Sequence, residues 1–178
     1  MGVMLQAFYW DCPKIENLEH QWWTYIKSKL PAIAQAGFTA LWLPPANKAA
    51  WWKSMGYDPY DYYDLGEFDQ KGGVPTWFGS KAELLDLIQS AHAVGLQVYA
   101  DLVFNHNSGG DAQELNPIDG QSRWTTFDPK SGRFPRDWKC FHPSQYETWD
   151  GATFGDMPDL SKCGRYSRPY NINRLILR

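Results

Sequence analysis

The chain has 178 residues with 17 basic and 20 acidic side chains, a net charge of -3 at pH 7 and a hydrophobic fraction of 43%. That length and composition give one domain enough apolar material for a core and exclude a disordered polymer. No basic stripe interleaves with the aromatics and no apolar run approaches about 18 residues, so we expect neither a nucleic-acid partner nor a membrane span.

Residues 3–9 are apolar and bulky, bounded by Asp11 and Pro13, and predict a short buried strand. Residues 21–35 follow with Trp22, Ile26, Leu30 and Ile33 at steps of three and four, one face of a helix. Pro31 interrupts that pattern and either kinks the helix or starts a second segment, and Gly37 is a stop. TALWL (39–43) reads as a strand covered on both faces and ended by Pro44 and Pro45. A loop from about 46 to 79, rich in Tyr, Asp and Gly, is too long to be structureless filler.

Ser80 and Glu83 then form the S-x-x-E pattern of a capping box, with Leu84, Leu87, Ile88 and Ala91 as the apolar face and Gly95 as the terminator. LQVYAD (96–101) is a third strand. Strands alternating with helical crossovers predict a parallel α/β fold. Residues 107–160 show no sustained period and read as an irregular excursion after that strand. Residues 162–178 carry five basic groups and no acid. That tail is either foreign to the fold, as a shifted reading frame would make it, or a natural basic end.

Cys12, Cys140 and Cys163 lack any C-x-x-C spacing, so neither a disulfide framework nor a thiolate metal site is expected. The start, MGVMLQAFYWD, has no basic region, apolar stretch or cleavage site of a signal peptide. Either the protein stays inside the cell or its leader is not in this chain. The high aromatic content, 10 Trp, 10 Tyr and 9 Phe, suits a protein that binds sugar rings and suits an aromatic core equally well.

Three stretches hold candidate chemistry. DLVFNH (101–106) ends the third strand, and in a parallel (β/α) fold that end forms the active-site face. There Asp101, Asn105 and His106 offer a carboxylate, a carbonyl oxygen and an imidazole, unless Asp101 merely caps the next turn. MGYDPYDYYDLGEF (55–68) packs tyrosines and aspartates into the loop after the second strand, either to stack on and hydrogen-bond a pyranose or to plug the end of the sheet. WDGATFGDMPDL (149–160) supplies Asp150 and Asp159, hard oxygen ligands which with Asn105 suit Ca2+, while Asp156 is an alternative carboxylate or a solvent-facing one. Retaining glycoside hydrolysis needs a nucleophile and an acid about 5–5.5 Å apart. Asp101 ends a strand convincingly, whereas Asp64 and Glu67 lie in loops without an evident partner, so no catalytic pair is expected here.

Together with MLQAFYWD (4–11), these motifs in this order resemble the alpha-amylase family, over residues 2–161. The resemblance implies a partial TIM (β/α)8 barrel of three strands in residues 1–106, a small irregular or β-rich inserted domain in 107–161, and a divergent tail in 162–178. It implies endo-hydrolysis of alpha-1,4 bonds in starch, glycogen or a related glucan with retention, by an enzyme of a family often secreted. On the matching positions, Asp101 supports the active-site network, Tyr57 stacks on the sugar beside the scissile bond and His106 contacts it. Asn105, Asp150, Asp159 and the carbonyl of Ala152 ligate a structural Ca2+.

The family's nucleophile, acid and transition-state-stabilising Asp would fall beyond Ser161 without a counterpart. The zinc site of some archaeal members is not expected, because Glu147 and Ser161 stand where a second His and a Cys would join His142. The resemblance therefore implies an inactive fragment of a hydrolase. The alternatives are an alpha-glucan-binding module without hydrolysis and a fragment without function. With three strands of eight, the chain is expected to expose an unpaired sheet edge and to fold marginally on its own.

Overall fold

The computed structural model describes residues 2–117 and 120–141. They divide into two units: residues 2–103 with Pro129–Phe134, and residues 104–117, 120–128 and 135–141.

In the first unit, β1 (Met4–Gln6), β2 (Ala40–Leu43) and β5 (Gln97–Ala100) form a parallel sheet in the order β1-β2-β5. The register pairs Met4 with Ala40 and Leu43 with Ala100. Parallel neighbours require a crossover, and the two crossovers carry α2 (Trp22–Gln35) and α3 (Lys81–Ala93). This is the α/β order expected of the opening strands of a (β/α)8 barrel. Trp22, Trp23, Ile26 and Leu30 of α2 meet Leu84, Leu87 and Ala91 of α3 and Leu41 and Leu43 of β2 in one buried cluster.

Each helix has a local cause. The capping box of α3 forms: Ser80 Oγ accepts from the Glu83 N–H at 3.3 Å, and Glu83 Oε2 accepts from the Ser80 N–H at 2.8 Å. Such a cap is worth about 1 kcal/mol. Gly37 and Gly95 follow their helices with φ of 87° and 82°, a left-handed turn that an L side chain resists. Pro31 neither ends α2 nor starts a new segment, because the helix runs through it. Pro31 is exposed, so its missing N–H sits on the solvent face while the buried stripe stays intact. A one-turn helix, α1 (Cys12–Ile15), was not anticipated; it carries Pro13 in its first turn.

The strand predicted as buried at residues 3–9 is shorter and more exposed than expected. Val3 and Met4 are half exposed, and burial begins only at Ala7 and Phe8. β1 and β5 each pair with β2 on one side, whereas β2 is paired on both and buried at Ala40, Leu41 and Leu43. Tyr99 and Leu102 on the β5 side are half exposed as well. Among the described residues, β1 and β5 are the outer strands of this sheet.

The segment from 46 to 79 holds a short antiparallel pair, β3 (Lys48–Ala49) with β4 (Pro59–Asp61), with a register shift between Lys48 and Ala49. Its centre is polar and dry. Lys48 is 2% exposed, and its Nζ donates to the carbonyls of Phe68 (3.1 Å), Gly73 (2.8 Å) and Val74 (2.6 Å). It lies 3.4 Å from Asp64 Oδ2. Burial pushes the ammonium below the usual lysine value, and the Asp64 charge opposes that shift. Asp64 Oδ1 accepts from the N–H groups of Gly66, Glu67 and Phe68, as an anion does at a turn of converging amides. Gln70 Nε2 bridges Asp64 Oδ2 (2.7 Å) and Asp61 Oδ2 (2.9 Å). Asp61 in turn accepts from Ser131 Oγ at 2.9 Å, and Gln70 Oε1 accepts from the Lys130 N–H at 2.9 Å. The network explains why Pro129–Phe134 belongs to the first unit.

The second unit contains a β hairpin of β6 (Ala112–Leu115) and β7 (Ser122–Thr126), and a 3-10 turn at Trp138–Cys140. Most side chains of both strands are exposed or half-buried, so the alternation that marks a strand in sequence is weak there. Phe127 stacks on Phe141 with centroids 5.5 Å apart, and the Arg136 guanidinium lies 4.4 Å over the Phe127 ring. Cys12 and Cys140 are buried free thiols, and burial pushes Cys12 up to about 11.

Lys48→Met would strand the Asp64 carboxylate without its counter-charge. We expect a loss of about 3–5 kcal/mol in urea unfolding. A loss under about 1 kcal/mol would show that the ion pair does not hold this loop.

Candidate functional site

Parallel pairing places the C-terminal ends of β2 and β5 side by side, and Asp101 follows β5 directly. Two side chains hold its carboxylate. Trp42, the third residue of β2, donates its indole N–H to Asp101 Oδ2 at 3.2 Å, and the Tyr57 hydroxyl donates to the same oxygen at 2.8 Å. Tyr57 arrives from the loop after β2. Gly56 before it has φ of 90°, and a Cβ there would lie 2.6 Å from the Pro45 carbonyl oxygen, so the turn that delivers Tyr57 requires glycine. Ser54 braces that turn by accepting from the Gly56 N–H at 3.0 Å and by a short hydrogen bond to Asp58.

The Tyr57 ring is half-buried and lies nearly parallel to Trp10, with centroids 6.1 Å apart and planes 15° from each other. Trp10 itself is 66% exposed. Trp42 stands edge-on to Phe8 at 5.5 Å. The result is a carboxylate framed by aromatic surface at the strand ends, the chemistry suited to a ligand with both apolar faces and hydroxyls. Burial first, then the hydrogen bond and charge of Asp101, hold the Tyr57 phenol well above its ordinary value. It therefore remains a donor at neutral pH.

Of the sequence-derived candidates, Asp101 and Tyr57 are brought together. His106 and Asn105 belong to the second unit, where His106 is half-buried and Asn105 exposed. The His106 carbonyl accepts from Asn107 Nδ2 at 2.8 Å, and Asn107 is fully buried. Asp150, Ala152 and Asp159, with His142, Glu147 and Ser161, lie outside the described residues. Among the described residues no group of three or more His, Cys, Asp and Glu is arranged to hold a metal ion.

Asp64 and Glu67, the loop carboxylates without evident partners in the sequence, both have them. Asp64 is fully buried against Lys48 and three backbone amides, and Glu67 is paired with Lys81 at 2.8 Å. Sequence reasoning missed Trp42 and Trp10. Their signal was positional: each sits at the carboxyl end of a predicted strand, the end that carries Asp101.

Comparison with known proteins extends this geometry. The family description "Alpha amylase, catalytic domain" matches residues 22–159. An alpha-amylase of Geobacillus stearothermophilus is 39% identical over 183 residues, covering 93% of this chain and 32% of that protein. The cytoplasmic alpha-amylase of Escherichia coli (strain K12) is 35% identical over 160 residues, 78% of this chain and 32% of its own. The chain thus spans about a third of the length of these relatives. A solved alternansucrase in complex with isomaltotriose shares the fold at a TM-score of 0.57 and 21% identity, over 71% of this chain and 13% of that one.

The Tyr57 shift has a definite sign. A phenol raised on folding contributes stability that is complete below about pH 10, its unfolded value, and is lost as pH climbs toward the folded one. The stability difference between the parent chain and Tyr57→Phe should therefore be flat from about pH 7 to 9 and shrink above about pH 10. Urea midpoints across that range read it, and a difference that stays flat to about pH 11 would mean that folding does not raise the Tyr57 phenol.

Proposed function

The chain belongs to the alpha-amylase family, and on that premise we propose that it is the glucan-holding part of a hydrolase that cuts internal alpha-1,4 bonds of starch or glycogen with retention. The observation that carries the reading is Asp101 at the carboxyl end of β5, gripped by Trp42 and Tyr57. In a parallel barrel that end is where substrates react. In this reading the Tyr57 ring receives a glucose unit, Asp101 orders the Tyr57 hydroxyl as a supporting group, and His106 is a further sugar-contact residue.

Cleavage with retention needs two carboxylates about 5–5.5 Å apart, one as nucleophile and one as acid and then base. Asp61 and Asp64 are sequestered in the buried network and Glu67 is engaged by Lys81, so none of them is the second member. In this reading the cleaving pair comes from barrel strands other than these three, and the chain's own part is to hold the glucan.

Calcium fits the donor set. The Asn105 side-chain oxygen, the Asp150 and Asp159 carboxylates and the Ala152 carbonyl are all hard oxygen donors, the kind Ca2+ selects. The ion would supply a structural clamp on the segment after the third strand and take no part in bond cleavage.

The test is reducing-end release from soluble starch by the purified chain, with and without Ca2+, beside maltoheptaose binding by calorimetry. We expect no release, binding that weakens roughly tenfold (about 1.4 kcal/mol) in Tyr57→Ala, and a melting temperature raised by Ca2+ in the parent chain but not in Asn105→Ala. Release that scales with the chain would overturn the division of labour. Absence of any maltoheptaose binding would overturn the glucan reading itself.

A further inference from the structure

Pro129–Phe134 sits in the first unit, although the residues on both sides of it sit in the second. It is the tip of a loop whose ends meet where Phe127 and Arg136 exchange two backbone hydrogen bonds, at 2.9 and 3.0 Å. The tip has a turn of its own. The Gly132 N–H donates to the Pro129 carbonyl at 2.9 Å, and the Arg133 N–H donates to Ser131 Oγ at 3.3 Å.

This tip grips the loop between β2 and α3 through polar groups. Ser131 Oγ donates to Asp61 Oδ1 at 2.9 Å, and the Ser131 N–H donates to Asp61 Oδ2 at 3.3 Å. The Lys130 N–H donates to Gln70 Oε1 at 2.9 Å, and its ammonium bonds the Asp69 carbonyl. The Arg133 guanidinium lies 5.0 Å over the Tyr63 ring, and the Phe134 ring is 6.4 Å from Tyr62. Asp61 is 1% exposed and also accepts from the Tyr63 N–H at 3.0 Å and from Gln70 Nε2 at 2.9 Å. Those two donors belong to the loop itself. Ser131 therefore supplies the part of the carboxylate's shell that comes from far along the chain, and without it Asp61 would need water.

Two features make the grip reversible. Each of its hydrogen bonds is exchanged for one to water when the tip lifts, so its net worth is small. Only Pro129 of the tip is buried, while Lys130, Gly132 and Arg133 are exposed and Ser131 and Phe134 half-buried. The closed form is also strained. Phe134 has φ of 54°, a left-handed conformation rare for a bulky side chain, and Pro135 after it favours extended backbone there instead. Such strain persists where the surroundings impose it and relaxes when they let go.

We propose that Pro129–Phe134 is a strap, latched by Ser131 onto Asp61, that opens as a unit while the parallel sheet and its two helices stay folded. Closed, it keeps Asp61 dry and braces the β4 end of the loop that carries Tyr57. Open, it gives Asp61 to water and frees the turn at Tyr62 and Tyr63. This inference does not depend on the glucan reading.

The experiment is limited trypsin digestion of the full chain, with cleavage after Lys130 and Arg133 read by mass spectrometry, beside native-state hydrogen exchange. The chains compared are the parent, Ser131→Ala and Ser131→Thr, with far-UV circular dichroism as the check on folding. Cleavage of a transiently opened segment tracks the population of the open form. We expect Ser131→Ala to be cut about tenfold faster than the parent, as loss of a bond to a charged group implies, and Ser131→Thr to restore the parent rate. Exchange at the Ser131 and Tyr63 amides should quicken with it, while the amides of β2 and α3 keep their protection. Equal cleavage of Ser131→Ala and parent would overturn the latch. Loss of protection in β2 and α3 together with the strap would overturn its opening as a separate unit. Should Ser131→Ala not fold, exchange in the parent chain still decides: strap amides that exchange as slowly as those of β2 and α3 would overturn the proposal, and faster exchange supports it.

Discussion

A lysine and an aspartate buried together, Lys48 and Asp64, constrain more of this molecule than any apolar contact does. Neither reaches solvent. Taking both charges out of water is expensive unless every remaining donor and acceptor is satisfied. The loop between β2 and α3 is shaped by that demand: carbonyls of Phe68, Gly73 and Val74 turn inward to the ammonium, and amides of Gly66, Glu67 and Phe68 turn inward to the carboxylate. A loop of this length without regular structure is otherwise a liability. Here its backbone is tied to two buried charges, and through Gln70 and Asp61 it also anchors Ser131 and Lys130 from far along the chain.

That rigid loop is what makes the site at the strand ends plausible as a binding surface. Tyr57 lies in the same loop, on the turn that Gly56 and Ser54 shape. Tyr57 is further restrained by its hydrogen bond to Asp101 and by its stacking on Trp10. An aromatic platform is useful to a sugar only if it is already in place, since ordering it on binding would spend much of the modest energy that a single stacking contact supplies.

The acidic, tyrosine-rich run at 55–68 shows how one composition serves two ends. Tyr57 faces Asp101, whereas Tyr60 is buried with Lys71 over its ring at 3.9 Å, and Asp61 and Asp64 are interior struts. The structural reading of this motif holds for Tyr60, Asp61 and Asp64, whereas Tyr57 stands at the strand ends beside Asp101. Spacing could not separate them, because the loop has no fixed period that would assign a side chain to one face.

By itself the sequence determined the parallel α/β order, the two helices with their buried stripes, the capping box at Ser80, the glycine stops and the placing of Asp101 at the carboxyl end of a strand. All of these are local: periodicity, caps and terminators act within a few residues and survive any tertiary context that keeps the core dry. Only the tertiary structure decided which side chains Asp101 would meet, that Lys48 would be buried against Asp64, and that Pro31 would be tolerated within α2. Each depends on contacts between residues distant in the chain, 44 apart for Tyr57 and Asp101 and 59 apart for Trp42 and Asp101. Sequence order carries no information about which distant polar group a buried charge will find, because that pairing is set by the packing that excludes water from both.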